Sequence, residues 1–150
     1  WLERFPGEGS SLHLQDIPDT PADWLDEALA AKWAAIRRVR RVVTAALEVQ
    51  RTDKVIGASL EAAPVVYLDR MSDLEGIDDE LFADICITSD ISLSLDSIPA
   101  EAFTLPDVPG VAVVFERADG KKCQRCWKIL PDVGSHGHAG ACARCDAALG

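Results

Sequence analysis

The sequence predicts an α+β chain built in three parts, and three observations carry that prediction. One apolar stripe at steps of three and four runs through residues 25–47. Short apolar runs separated by Pro and Gly follow it, and four of the five cysteines then fall near the end as two close pairs. The stripe marks a long amphipathic helix, the short runs a small three-stranded α+β unit, and the cysteines a C-terminal four-cysteine zinc finger. The corresponding boundaries are 1–54 for an irregular lead-in and the helix, 55–117 for the small unit, and 118–150 for the finger.

The lead-in, residues 1–19, is rich in Gly, Ser, Pro and Asp and reads as connection. TPADW then opens the helix: Thr20 is placed to cap it, Pro21 suits the first helical position, and Asp23 closes a capping box. Leu25, Leu29, Trp33, Ile36, Val39, Val43 and Leu47 form the stripe, and the helix is expected to end near Gln50. The chain supplies no second long helix to cover it, so its partner helices are expected upstream. Arg37 and Arg41 lie one turn apart, roughly opposite the stripe, and serve either as a solvated polar face or as a phosphate-contacting ridge.

In the second part, APVVYL reads as a buried strand, IDDELFAD as a short helix with acids in its first turn, and VAVVFERA as another strand. DICITSDISLSLD alternates, with Ile85, Ile87, Ile91, Leu93 and Leu95 on one face, and reads as the third strand. Cys86 falls within it as a half-buried structural thiol.

The third part is KKCQRCWKILPDVGSHGHAGACARCDAALG. Its spacing, C-x2-C-x15-C-x2-C, is a strong metal-site pattern, because two residues between cysteines let a tight turn aim both sulfurs at one ion. Cys123, Cys126, Cys142 and Cys145 complete a tetrahedron around one structural Zn²⁺, with iron as the alternative. His136 and His138 lie in the intervening loop, but four thiolates already fill the coordination shell. Trp127, directly after the second cysteine, either packs a mini-core or stacks on a base.

Composition bounds the function. Apolar residues at 48% exclude a disordered chain, no apolar run approaches the ~18 residues of a membrane span, and no signal-peptide pattern opens the sequence. Cysteines in metal-type pairs point to a reducing, cytosolic setting. A chain that opens on Trp1 and has Met71 as its sole methionine reads as a piece of something longer. The net charge of −10 conceals two basic segments, +5 over 32–54 and +3 over 117–150, while 55–116 carries −12. Such asymmetry leaves room for an RNA-facing side on an acidic protein. Four thiolates around Zn²⁺ add a net −2, however, so part of the tail's basicity offsets the cluster itself.

Taken in order, SSLHLQDIP, EVQRTDKVIGASLEA, DELFADICITSD, VAVVFERADG and KCQRCW…VG…C.RC resemble successive stretches of the C-terminal part of bacterial isoleucyl-tRNA synthetases. CITSD departs mildly from the family's usual pattern there. The resemblance implies a class I aminoacyl-tRNA synthetase whose ATP-binding signatures and catalytic residues lie outside this chain. It implies that the helix is part of an anticodon-binding bundle, that the four cysteines bind zinc, and that the partners are tRNA-Ile and upstream domains of a monomeric, cytoplasmic parent. Charge and position nominate Arg37, Arg41, Lys121, Lys122, Arg125, Lys128 and Arg144 as RNA contacts. Two other readings stand beside it. One is a zinc-stapled protein-interaction module. The other is a glycosylase-type DNA-binding zinc finger, which the α+β stretch and SLEA do not fit.

Overall fold

The computed structural model describes residues 3–4, 13 and 16–150, so most of the lead-in lies outside the described residues. Two compact units are present, residues 1–30 and 31–150. In the first, TPADW does not open the long helix. Trp24 and Leu25 donate to the carbonyls of Pro21 and Ala22, closing a 3-10 turn over Ala22–Trp24, and Leu25 is extended. The cap is Asp26, whose carboxylate accepts the Leu29 amide at 2.8 Å, and helix α1 runs Glu27–Thr52. A carboxylate at the cap outcompetes Thr20 because it accepts with full charge and suits the helix's positive end.

Within residues 31–150, α1 buries Ile36, Val39, Val42, Val43, Ala46 and Leu47 in the main core. The apolar stripe holds over this half. Leu29 and Trp33, nearer its start, are exposed. The core's other wall is a mixed sheet of four strands, one more than the three expected, in the order β2–β1–β4–β3. Strand β1 (Val65–Leu68) runs parallel to β2 (Ser92–Ser94) and antiparallel to β4 (Val111–Val114), with Val66 opposite Val113. The additional strand, β3 (Phe103–Thr104), pairs antiparallel with β4 along the other edge.

The alternating run DICITSDISLSLD is mostly not a strand. Asp78 caps helix α2 (Asp79–Cys86) by accepting the Leu81 amide at 2.8 Å, and the helix carries through Asp84, Ile85 and Cys86. It ends at Ile87 in the left-handed conformation, φ 60° and ψ 46°, with the Thr88 amide returning to the Ala83 carbonyl at 3.0 Å. A strong N-cap and a closing turn outweigh the period-two pattern, which survives only in the three residues of β2. Ile87 is exposed in consequence, while Ile91 stays in the core. Left-handed backbone is costly for a β-branched residue. The turn is held by Thr88, whose buried hydroxyl donates to the Ala83 carbonyl, and by the Ser89 amide, which donates to the Ala62 carbonyl.

Cys86 is thus the last residue of α2 and is fully buried in the core rather than half-buried in a strand. Burial pushes its thiol up to about 12, despite the nearby Arg40 guanidinium. At mildly alkaline pH this lowers the thiolate fraction on the order of a thousandfold relative to a free cysteine. Iodoacetamide is therefore expected to leave Cys86 unmodified in the folded chain under conditions that alkylate it completely in denaturant, as read by peptide mass spectrometry.

The finger folds around a second, smaller apolar cluster of Cys123, Val133, Ala141, Cys142 and Cys145, with Cys126 and Leu130 against it. Strands β5 (Lys121–Lys122) and β6 (Ile129–Leu130) form its antiparallel ribbon. Gly120 enters that ribbon at φ +118°, where a Cβ would collide with the Leu130 carbonyl and the Pro131 nitrogen, so only glycine fits. Among the described residues no helix is long and apolar enough to cross a membrane.

Candidate metal centre and its basic edge

Two turns bring the four sulfurs together. In the first, the Cys123 amide donates to the Lys128 carbonyl at 2.8 Å and the Trp127 amide to the Cys123 carbonyl at 2.9 Å. The second lies at the start of helix α3 (Ala143–Ala147), where Cys142 is the N-cap residue and its carbonyl accepts the Asp146 amide at 2.8 Å. The Gln124 amide, donating to the Gly140 carbonyl at 2.9 Å, ties one turn to the other.

Cys123, Cys126, Cys142 and Cys145 present sulfurs that all lie within 4.8 Å of one another, and none is in a disulfide. A tetrahedron with metal–sulfur bonds of ~2.3 Å has edges of ~3.8 Å. The Cys126–Cys142 sulfur separation is 3.7 Å. The cluster can therefore hold a metal ion, and four sulfurs around one tetrahedral ion leave no open position for a substrate or water. Burial opposes ionisation of Cys123, yet the amides of Cys126, Cys142 and Arg125 bring its thiol down to about 6. Burial instead pushes Cys142 up to about 12. Sulfurs this close need a cation before all four can be thiolates.

The two loop histidines are engaged elsewhere. His136 Nε2 lies 3.0 Å from Asp132 Oδ2, and His138 Nδ1 lies 2.7 Å from Asp146 Oδ1. Asp132 also accepts the Ala143 amide at 2.7 Å, and Asp146 the His138 amide at 2.8 Å. These bonds hold both carboxyls below the usual carboxylate range. They brace the spacer against α3 and keep both imidazoles turned toward carboxylates.

The seven basic residues nominated from the sequence fall into three groups. Lys121, Lys122 and Arg125 are exposed around the first turn, where the Arg125 guanidinium reaches Cys145 Sγ at 3.7 Å. Lys128 and Arg144 instead converge on Asp84 of α2, at 2.5 Å and 3.0 Å. Arg37 and Arg41 are exposed on α1, with Arg41 ion-paired to Asp107. Trp127 is 61% exposed, so it does not pack the mini-core. Its backbone is left-handed, φ 69°, and the Lys122 ammonium sits 5.5 Å from the ring centroid. The spacing of residues carries no signal for Asp84 or Ser89, which the fold brings to the finger from the sheet unit.

A small α+β unit that ends in two paired-cysteine turns defines a class: chains whose four cysteines can hold one metal ion. No protein-family model matches the chain. Along all 150 residues it is 62% identical to the isoleucine–tRNA ligase of Ruegeria pomeroyi, of which it covers 16%. It is 56% identical over 138 residues to the enzyme of the same name from Brucella abortus, and 50% identical over 135 residues to that of Agrobacterium fabrum. Each of these matches takes in 90% of the chain and 14% of the relative. The chain thus matches the C-terminal region of bacterial isoleucine–tRNA ligases and spans about one sixth of their length or less.

Proposed function

We propose that this chain is the tRNA-holding C-terminal part of an isoleucine–tRNA ligase. It grips the anticodon stem-loop of tRNA-Ile and so positions the acceptor end for ATP-dependent aminoacylation, which other domains of the same cytoplasmic, monomeric polypeptide carry out. The contribution is positional, because a correctly held reactant spares the chemical step its entropic cost. One Zn²⁺ on Cys123, Cys126, Cys142 and Cys145 supplies folding energy to the finger and takes no part in the chemistry.

The observation that carries this reading is Trp127. An indole held in water at the tip of a metal-binding turn, with Lys122 beside it and Lys121 and Arg125 near it in sequence, has the makings of a base-stacking platform with phosphate-binding flanks. Arg37 on α1 is a further candidate contact. Stacking on one base contributes about 1–3 kcal/mol. Trp127→Ala in the full-length ligase is therefore expected to raise the KM for tRNA-Ile by roughly fivefold or more. Isoleucine-dependent ATP–pyrophosphate exchange should be unchanged. A KM within twofold of the unsubstituted enzyme would sink the reading.

The zinc-stapled interaction module draws support from Lys128 and Arg144, whose charges are taken up by Asp84 within the chain. Salt separates the two. RNA held through phosphates weakens steeply as ionic strength rises, and an unchanged tRNA KM between low and high salt favours the module.

A further inference from the structure

The finger and the sheet unit keep separate apolar cores, so the joint between them is polar. One side of the joint is backbone. The Ala63 amide donates to the Glu116 carbonyl and the Ala118 amide to the Glu61 carbonyl, both at 2.9 Å, and Ala62 bridges Arg117. These bonds carry the connecting strand along residues 61–63 to the edge of the finger.

The other side is built from α2 and the turn that follows it. Asp84 Oδ1 accepts the Lys128 ammonium at 2.5 Å, and Oδ2 accepts the Arg144 guanidinium at 3.0 Å. Lys128 belongs to the first cysteine turn and Arg144 to the second, so a single carboxylate grips both halves of the finger. The left-handed turn at Ile87 then delivers Ser89, which is buried, to the same seam. Its hydroxyl donates to the Leu60 carbonyl at 2.5 Å and accepts the Ile129 amide at 2.6 Å. Lys128 is only 9% exposed, which makes its counter-charge decisive: a buried ammonium without a partner is far costlier than the pair.

We propose that Asp84 is the positioning residue of this joint and sets the angle at which the finger presents Trp127 to RNA. The role in RNA presentation rests on the tRNA-holding function proposed above. Asp84 acts through Lys128 and Arg144, one on each half of the finger. The three substitutions at the pair differ in consequence. Asp84→Asn leaves the buried ammonium facing a neutral amide. Lys128→Met removes the charge that needs a partner, while Asp84 keeps Arg144. The double substitution removes both the exposed carboxylate and the buried ammonium and costs less than Asp84→Asn alone.

The test uses the full-length ligase with three readouts: zinc per chain, hydrogen exchange at the Ile129 amide, and KM for tRNA-Ile beside ATP–pyrophosphate exchange. Asp84→Asn is expected to keep its zinc, to speed Ile129 exchange by about tenfold and to raise the tRNA KM by about tenfold at unchanged pyrophosphate exchange. Lys128→Met should have the smaller effect, and Asp84→Asn with Lys128→Met should recover most of the loss, which a merely damaged fold would not do. Unchanged Ile129 exchange in Asp84→Asn overturns the joint whatever the RNA does. Faster exchange with an unchanged tRNA KM overturns the positioning role. If Trp127→Ala still raises KM in that case, only Asp84 is dismissed; if Trp127→Ala is silent as well, the tRNA-holding function falls with it.

Discussion

Cys142→Ser is expected to unfold residues 118–150 and to leave the four-stranded sheet folded. The finger's apolar core amounts to Val133, Ala141 and a partly buried Leu130 around the sulfurs. Burying so little surface, at ~25 cal/mol per Å², cannot offset the cost of about 1–2 kcal/mol for each ordered backbone residue. A tetrathiolate zinc site contributes on the order of 10–16 kcal/mol in small fingers, so zinc bound here would supply most of this segment's stability. Serine removes one thiolate ligand and leaves three. The checks are zinc stoichiometry and the amide spectrum. Resonances from β5, β6 and α3 should collapse to random-coil positions while those of β1 and β4 stay put. If the tRNA-holding function proposed above holds, aminoacylation by the full-length ligase should fall with amino-acid activation preserved. Full zinc content with unshifted finger resonances would contradict the assignment of Cys142 as a ligand.

Phe82→Ala should have the largest effect on the other core. Phe82 is fully buried on α2's inner face, in the same cluster as Val39, Val66 and Val113. Truncating a buried phenylalanine costs about 3–5 kcal/mol, because the lost transfer energy and the cavity add. Set against a total stability of roughly 5–15 kcal/mol, that is a large share. Urea denaturation followed by circular dichroism should show the midpoint fall with little change in slope. A loss below about 1 kcal/mol would mean that the core repacks around the gap.

The parts of the fold legible in the sequence are those whose signal is local. The cysteine pairs are metal-spaced within four residues of chain, and Ile36, Val39, Val43 and Leu47 repeat at helical steps on the half of α1 that is buried. VVYL and VAVV are apolar enough to be strands on composition alone. Local competition hides the rest. Asp26 and Thr20 are both capping residues, and the Pro21 and Asp23 that follow Thr20 make the local pattern point to it rather than to Asp26. Residues 84–88 carry strand-like alternation and lie inside the reach of the Asp78 cap, which prevails because helix propagation is cooperative once begun. Strand β3 is two residues long and exists only because β4 offers it an edge. The joint is hidden for another reason: Asp84 lies 44 residues before Lys128 and 60 before Arg144, and no periodicity connects positions that only tertiary folding brings together. At Trp127 the sequence favours packing in the mini-core, the commoner role for a residue beside such a turn, and the structure has it exposed instead. The side chain is turned outward by a left-handed backbone that its residue type does not advertise.

Two cores that share no apolar contact also dictate how changes combine. Val66 and Val133 lie in separate apolar clusters, so the free-energy costs of substituting them should sum. Drift in one half is then invisible to the other, and a sequence can revise its sheet without renegotiating its finger. The exception is the seam. Asp84, Ser89, Lys128 and Arg144 answer to both halves at once, and there the sum breaks down. Epistasis between the two halves should be concentrated in those four side chains.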